Sequence, residues 1–252
     1  MERKQLGVTD SRGNGRGKGL VVAIFITGDT HGLLGINRLS EEGFPEQYDM
    51  TKNDYIIIAG DFGLIFLNDE REFLLRKWLN KRPFTTLFID GNHENFEALD
   101  KYPIETWHGG KVSFIEDSII HLKRGQVFNL DNKKIFTFGG ARSIDKHSRT
   151  PGYDWWDQEM PNSRQEQEGL DNLALHGNSV DYVITHDCSG KTLDDLVKYG
   201  LLMNKQETRL SHFLDEVEEA VDYKHWYFAH HHKDRVIDNK HTVIFENIVK
   251  LK

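Results

Sequence analysis

Cysteine is almost missing from this chain of 252 residues: Cys188 stands alone. No intramolecular disulfide can form, and a zinc site built on cysteines is excluded. A single thiol suits a reducing interior, so a cytoplasmic location is expected. Positive charge is also scarce. Lys and Arg number 32 against 40 Asp and Glu, a formal net charge of −8. That argues against a general polyanion-binding surface, since phosphate backbones are held by clustered Lys and Arg. A local basic patch is still compatible with the composition. No apolar run approaches the length of a membrane span, so no membrane partner is expected. The opening "MERKQLGVTDSRGNGRGKG" lacks the apolar core of a signal peptide. Its five glycines and scattered charge raise the entropic cost of ordering and offer little to bury. Residues 1–19 are therefore expected to be a disordered extension, and 20–252 one domain.

What is present is a set of short apolar runs. "LVVAIFIT" (Leu20 to Thr27), "DYIIIAG" (Asp54 to Gly60) and "FTTLFIDG" (Phe84 to Gly91) are apolar on both faces, which suggests strands buried between layers. Between the last two, "NDEREFLLRKWLNKR" repeats Phe73, Leu74, Trp78 and Leu79 at helical spacing, with acids early and bases late. Strand, helix, strand predicts a βαβ crossover. From Ser118 the texture changes. "SIIHL", "QVFNL" and "KKIFTFGG", split by "KRG" and "DNK", read as antiparallel hairpins. "SRQE" at Ser163 to Glu166 matches a capping box, with Leu170, Leu173 and Ala174 marking the helix face. "VDYVIT" is a further buried strand, and "SHFLDEVEEAV" places Phe213, Leu214, Val217 and Val221 on one helical stripe. "HWYFAHHH" and "HTVIFENIVKL" return to strand. The economical architecture is α/β (α+β in some schemes), with helices flanking a mixed, double sheet.

The strand ends carry the chemistry. The first apolar strand runs into Asp29 and His31 of "GDTHG", the second into Asp61 of "GDFG", the third into Asn92 and His93 of "GNHE". The next buried strand runs into His186 of "THD", and the last into His230, His231 and His232. In open α/β sheets ligands sit beyond the carboxyl ends of strands, so these ends are expected to converge. Gly28, Gly60 and Gly91 would let the backbone turn sharply where side chains crowd. A strand-ending Asp is by itself usually a turn former, and a lone His is usually packing or surface. Five such ends in one chain are another matter. Carboxylate, imidazole and amide donors without thiolate suit Mn, Fe or Zn better than an all-oxygen Ca or Mg cage. In an extended segment side chains alternate, so His230 and His232 should face together and His231 away.

D-x-H, then G-D, then G-N-H-E, then a lone His, then H-x-H resembles the calcineurin-like metallophosphoesterase superfamily, over Gly28 to His232. The resemblance implies a four-layer αββα fold, two mixed sheets packed as a sandwich between helices. It implies two metal ions, Mn or Fe with Zn as the alternative. Asp29, His31 and His232 would hold one ion, Asn92, His186 and His230 the other, and Asp61 would bridge them. The activity implied is phosphoester hydrolysis, with a metal-bridging hydroxide as nucleophile and His93 protonating the leaving alkoxide. A phosphomonoesterase acting on a phosphorylated small molecule or nucleotide is the favoured reading. A phosphodiesterase or nuclease of the same superfamily is the alternative, and a non-catalytic scaffold is weighed against by the intact ligand set. The acidic charge disfavours long nucleic acid.

The sequence also departs from relatives. Protein Ser/Thr phosphatases of this superfamily continue the second motif as G-D-x-V-D-R-G, whereas here Leu64 and Ile65 stand in place of that Asp and Arg. The missing Asp would orient the catalytic His, and the missing Arg would grip phosphate. A replacement clamp is expected in "GGARSIDKHSRTPGYDWWDQE", where Arg142, Lys146, His147 and Arg149 precede Tyr153, Trp155 and Trp156. Asn92 and Arg142 are the substrate-binding candidates, and Cys188 reads as a buried small residue.

Overall fold

Alternation along the first apolar run decides the layering. In β1 (Ile24–Thr27) every residue is buried. Ile24 and Ile26 enter one core and Phe25 another, on opposite faces. The same split recurs in β2 (Tyr55–Ile58), where Ile57 faces one core and Ile56 and Ile58 the other. It recurs again in β3 (Thr85–Phe88), with Leu87 and Phe88. The computed structural model describes residues 22–251. The expected extension over 1–19 lies outside them, as do Leu20 and Val21.

Three further strands follow: β4 (Glu105–Trp107), β5 (Gly110–Glu116) and β6 (Ile119–Leu122). The second sheet is built from β7 (Gln126–Leu130), β8 (Lys133–Phe138), β9 (Ser179–Thr185), β10 (Asp222–Phe228), β11 (Arg235–Val236) and β12 (His241–Val243). The chain then returns to the first sheet with β13 (Val249–Lys250). The orders are β13-β1-β2-β3-β6-β5-β4 and β11-β12-β10-β9-β8-β7. Both sheets are mixed. β1, β2, β3 and β6 run parallel, as do β8, β9, β10 and β12, with antiparallel strands at the edges.

The central core joins Ile26, Ile57 and Leu87 to Phe128, Tyr182, Ile184 and Tyr227 of the facing sheet. Helices close the outer faces. Leu79 of α1 (Glu70–Asn80) and Leu99 of α2 (Phe96–Leu99) cover the first sheet, together with Ile36, Leu39 and Phe44 from short 3₁₀ turns. Leu173 of α3 (Ser163–Leu175), Leu193 and Leu196 of α4 (Gly190–Lys198), and Phe213, Leu214 and Val217 of α5 (Arg209–Ala220) cover the second. The result is the αββα sandwich.

Several local readings change. α1 buries Leu79, but Phe73 and Leu74 face solvent. Glu72 and Arg76 take buried positions instead, because each is bonded to backbone of the preceding loop. The capping box lies one residue earlier than read. Asn162 accepts the Gln165 N–H while the Gln165 side chain accepts the Asn162 N–H. Ala174 is exposed, and the packed face of α3 is Gly169 and Leu173.

The run "SIIHL" does not form a hairpin with "QVFNL". β6 already has partners on both sides, β3 and β5, so "KRG" carries the chain across to the second sheet. Only β7 and β8 make the expected hairpin. Arg124 of that crossing is buried and its Nε donates to Asp90 Oδ2 at 2.7 Å, just past the end of β3. His121 Nε2 lies 3.1 Å from Asp90 Oδ1. Burial alone would raise the Asp90 carboxyl, but the Arg124 charge and the His121 bond outweigh it and hold it well below the usual range. Arg124 also donates to the Gln158 and Glu159 carbonyls.

Removing the cation from such a pair strands a buried carboxylate, which costs about 3–5 kcal/mol. Arg124→Met is therefore expected to lower the urea unfolding free energy by about that amount. A loss under about 1 kcal/mol, the scale of an exposed ion pair, would show that the pair does not anchor the crossing.

Candidate metal centre

Register brings the strand ends level. Thr27 pairs with Ile58 and Ile58 with Phe88 in the first sheet, while Phe138 pairs with Thr185 and Thr185 with Phe228 in the second. The residues that follow these ends meet at one edge of the sandwich. Asp29, Asp61, Asn92 and His186 are buried there, with His31 and His230 half-buried.

Asp61 is at the middle. Its Oδ1 lies 3.5 Å from His186 Nε2 and its Oδ2 3.8 Å from His31 Nε2. His31 Nε2 in turn lies 3.0 Å from His232 Nε2. On the other side, His186 Nε2 lies 3.2 Å from Asn92 Oδ1, and the His230 ring centre is 5.1 Å from that of His186. His186 Nδ1 donates to the Ala59 carbonyl at 2.8 Å, which leaves Nε2 facing Asn92 and Asp61. All seven side chains read from the sequence as ligands are thus brought together. His93 stands beside them: its backbone N–H donates to Asp61 Oδ1 at 2.8 Å, and its ring centre is 5.6 Å from that of His31.

Two glycines make the crowding possible. A Cβ at Gly60, where φ is +98°, would lie 2.0 Å from His186 Nδ1. A Cβ at Gly91 would lie 2.0 Å from Asp61 Oδ1. The backbone is also held unusually. His31, Asp61, His230 and His232 all have positive φ, between 44° and 62°. Non-glycine residues are uncommon in that region, and such strain collects at functional sites. This replaces the alternation expected of the triple histidine. β10 ends at Phe228, before the run begins, so His230 and His232 are aimed by left-handed turns and not by strand pleating. His231 points elsewhere, with Nε2 3.3 Å from Asp187 Oδ1 and 3.6 Å from Cys188 Sγ.

The donor set fits a pair of cations. Both oxygens of Asp29 are buried and, among the described residues, have no hydrogen-bond partner. Buried polar groups rarely stay unsatisfied, and a carboxylate least of all. Burial pushes the Asp29 carboxyl up to about 7. Two imidazole nitrogens 3.0 Å apart likewise call for a proton or a cation between them. Burial lowers His31 to about 4 and His230 to about 3, so both are neutral rings with a free lone pair at neutral pH. Burial opposes charge on His186 as well, but Asp61 and Asp29 outweigh it and raise it to about 10. Asp61 is held well below the usual carboxylate range: burial raises it, and the His186 charge and bond lower it by more.

Asp29 with His31 and His232, and Asp29 with Asp61 and His186, each bring ligand atoms within 4.8 Å of one another. A third set, Asp187, Cys188 and His231, does so too, but its members satisfy each other. Asp187 Oδ1 accepts the Cys188 N–H at 2.8 Å and faces His231, and burial pushes the Cys188 thiol well up.

A layer of supporting residues was not read from the sequence. Asn92 Nδ2 donates to Ser143 Oγ at 3.1 Å, and Ser143 Oγ donates to Glu159 Oε2 at 2.6 Å. This chain turns the Asn92 oxygen toward His186. Arg38 Nη2 donates to the Asp29 carbonyl at 3.1 Å, and Phe245 stacks on His232 at 4.5 Å. Glu94, buried beside them, accepts the Phe62 N–H at 2.8 Å, and burial raises its carboxyl well above normal. "GNHE" hinted at Glu94. Nothing local in sequence marks Arg38 or Phe245.

The expected clamp splits in two. Arg142 is exposed beside a cavity of about 270 Å³ that it shares with His230, His231 and Asp187. Arg149 instead lines a separate groove of about 470 Å³ with His31, His93 and His232. Its guanidinium is forked onto Asp145, with Nε–Oδ1 and Nη2–Oδ2 both 2.8 Å. Trp156 is buried, edge-on to Phe66 at 5.9 Å, and Trp155 lies 4.3 Å beneath the Lys146 ammonium. Both tryptophans therefore have partners within the protein. Leu64 and Ile65 are fully buried in the outer core of the first sheet.

Comparison with curated proteins returned no match. Among solved structures, a Staphylococcus aureus protein described as a candidate 5′-nucleotidase, in complex with alpha-ketoglutarate, aligns with 18% identity and a TM-score of 0.44. The alignment covers 89% of this chain and 48% of that one, so the chain spans about half the length of that protein. A family model described as calcineurin-like phosphoesterase matches residues 22–234. That match runs from β1 through the triple histidine, the whole stretch whose strand ends converge, and so this chain belongs to the calcineurin-like phosphoesterase family.

Proposed function

We propose that the seven convergent side chains hold two metal ions, and that the protein is a phosphomonoesterase acting on a small-molecule or nucleotide phosphate. The observation that supports this most is Asp61, whose two oxygens face His186 and His31 at 3.5 and 3.8 Å. One carboxylate thereby spans two ligand sets. Asp29, His31 and His232 form the first, and Asn92, His186 and His230 the second. Imidazole, carboxylate and amide donors favour Mn or Fe, with Zn as the alternative. When bound, such a pair supplies Lewis acidity toward phosphoryl oxygens and lowers the pKa of water toward neutrality.

The protein's own groups do the rest. His186 is oriented by the Ala59 carbonyl and Asn92 by Ser143, so neither must reorganise on binding. His93 is the general acid. Its backbone is tied to Asp61, and its ring opens onto the larger groove, where a leaving oxygen would emerge. Proton donation of this kind contributes about 10²–10⁴-fold. Arg142 grips the substrate from the His230 side. The buried Leu64 and Ile65 leave no phosphatase-type Asp and Arg at those positions, which favours a small substrate over a phosphoprotein. We place the protein in the cytoplasm on its single, buried, free thiol. Among the described residues no helix is long and apolar enough to cross a membrane.

The direct test is metal analysis with a substrate panel: p-nitrophenyl phosphate, its bis ester, nucleoside monophosphates and short oligonucleotides. Two ions per chain are expected, with hydrolysis of monoesters that a chelator abolishes and added Mn or Fe restores. Preferential cleavage of the bis ester or oligonucleotides would shift the assignment to a diesterase.

Asp61→Asn is expected to lower metal content at both sets and to cost far more activity than His231→Ala. The latter should lose no more than the roughly 10–100-fold typical of a supporting residue. Equal losses in two folded variants would remove Asp61 from its bridging role.

His93→Ala should keep both ions yet lose rate chiefly on esters with basic leaving groups. The value of an acid rises with the basicity of the group it protonates, so alkyl phosphates should slow by about 10²–10⁴-fold and p-nitrophenyl phosphate much less. A uniform loss across leaving groups would instead assign His93 to phosphate positioning.

A further inference from the structure

The groove of about 470 Å³ beside His93 falls within the roughly 300–1,000 Å³ of small-molecule sites, whereas the cavity of about 270 Å³ beside Arg142 falls below it. Its inner end is the metal centre itself, through His31, His93 and His232. Its walls are Leu33 and Leu34 from the turn after His31, and Phe66 and Leu67 from the loop after Asp61. Leu33, Leu34 and Leu67 are 52, 87 and 60% exposed. Single exposed leucines are ordinary, but three lining one cleft with a phenylalanine are a site-like feature.

These side chains are not exposed because their loops are loose. The Glu72 carboxylate accepts the Leu67 and Asn68 N–H groups, both at 2.7 Å. Arg76 donates to the Leu64 carbonyl, and Asn95 Nδ2 donates to the Phe66 carbonyl at 3.0 Å. The facing turn is stitched to the same loop. The His31 N–H donates to the Asp61 carbonyl at 2.8 Å and the Gly32 N–H to the Phe62 carbonyl at 3.0 Å. Gly32, at φ +56°, packs so closely that a Cβ there would lie 2.3 Å from the Gly63 carbonyl oxygen. Both walls are held before any ligand arrives, which reduces the ordering cost of binding.

The polar groups along the groove are largely engaged already. Glu72 is taken by the loop amides, Asp69 Oδ1 accepts the Glu72 N–H at 2.9 Å as a helix cap, and Arg149 is neutralised by Asp145. Arg71 also lines the groove and is exposed. What the groove offers next to His93 is therefore apolar surface.

We infer that the groove formed by Leu33, Leu34, Phe66 and Leu67 receives the alcohol portion of the substrate, and that this alcohol is bulky and apolar. The inference rests on the phosphomonoesterase reading and narrows it, away from sugar phosphates and nucleotides. The leaving oxygen would lie at His93 and its carbon skeleton would run outward between the two leucine-bearing loops.

The test compares n-hexyl with ethyl phosphate, whose leaving groups are equally basic, and adds glycerol phosphate and a nucleoside 5′-monophosphate. Each methylene removed from water is worth about 4-fold, so partial burial of four of them should give n-hexyl phosphate a kcat/KM about 10- to 100-fold above ethyl phosphate. Leu34→Ser with Leu67→Ser should collapse that ratio by raising KM for the hexyl ester far more than for the ethyl ester, with metal content retained. Turnover without chain-length preference, a preference that survives the double substitution, or a nucleotide preferred over the hexyl ester would each overturn the inference while leaving a phosphoesterase. No turnover of any ester by metal-loaded protein would overturn the phosphoesterase reading and this inference with it.

Discussion

Two carboxylates, Asp29 and Asp61, are buried together around one imidazole, with His186 3.6 Å from the first and 3.5 Å from the second. Adjacent buried charges of one sign repel, and each also forfeits its hydration. Such an arrangement is sustained only by shared positive charge, and the surrounding neutral imidazoles are the donors that a cation would use. Much of the local architecture serves this constraint. Gly60 and Gly91 have no side chain because one would collide with His186 and Asp61. His31, Asp61, His230 and His232 all take left-handed backbone where the chain turns into the cluster.

The two sheets divide the work. Asp29, His31, Asp61 and Asn92 follow strands of the first, whereas His186, His230 and His232 follow strands of the second. The centre therefore depends on how the sheets are aligned, and that alignment is carried by the apolar core between them. The crossing at Arg124 and Gly125 matters for the same reason. It switches the chain between sheets while tying that switch to Asp90, two residues before Asn92. Packing, topology and ligand geometry are one problem here, which is why a loosely packed sandwich could not hold the site.

Chemistry and selectivity are separated in space. On the reading proposed above, the strand ends would present the metal ligands, and the loops that leave them would contact the rest of a substrate. In this chain the second motif continues into buried Leu64 and Ile65 and then surfaces as Phe66 and Leu67. The same few residues that remove a phosphate-gripping pair thus build one wall of an apolar groove.

The amino-acid sequence by itself determined the layered α/β architecture and the strands whose ends matter, whereas the choice of seven of the residues at those ends as one set came from the family resemblance. The architecture and the strand ends are encoded locally: apolar runs of strand length, glycines at sharp turns, and Asp, Asn or His just beyond them. Tertiary structure decided the rest. The hairpin expected of β6 was lost to competition from β3 and β5, which pairing rules along the chain cannot register. Phe73 and Leu74 went to solvent because Glu72 and Arg76 were needed against the loop backbone. His230 and His232 reached the cluster through left-handed turns, so the strand pleat that seemed to align them was not the cause. Arg38, Ser143 and Phe245 contact the convergent residues across gaps in sequence that no spacing reveals. Contacts of that kind come into being only when separate segments are packed together, and so only the folded chain contains them.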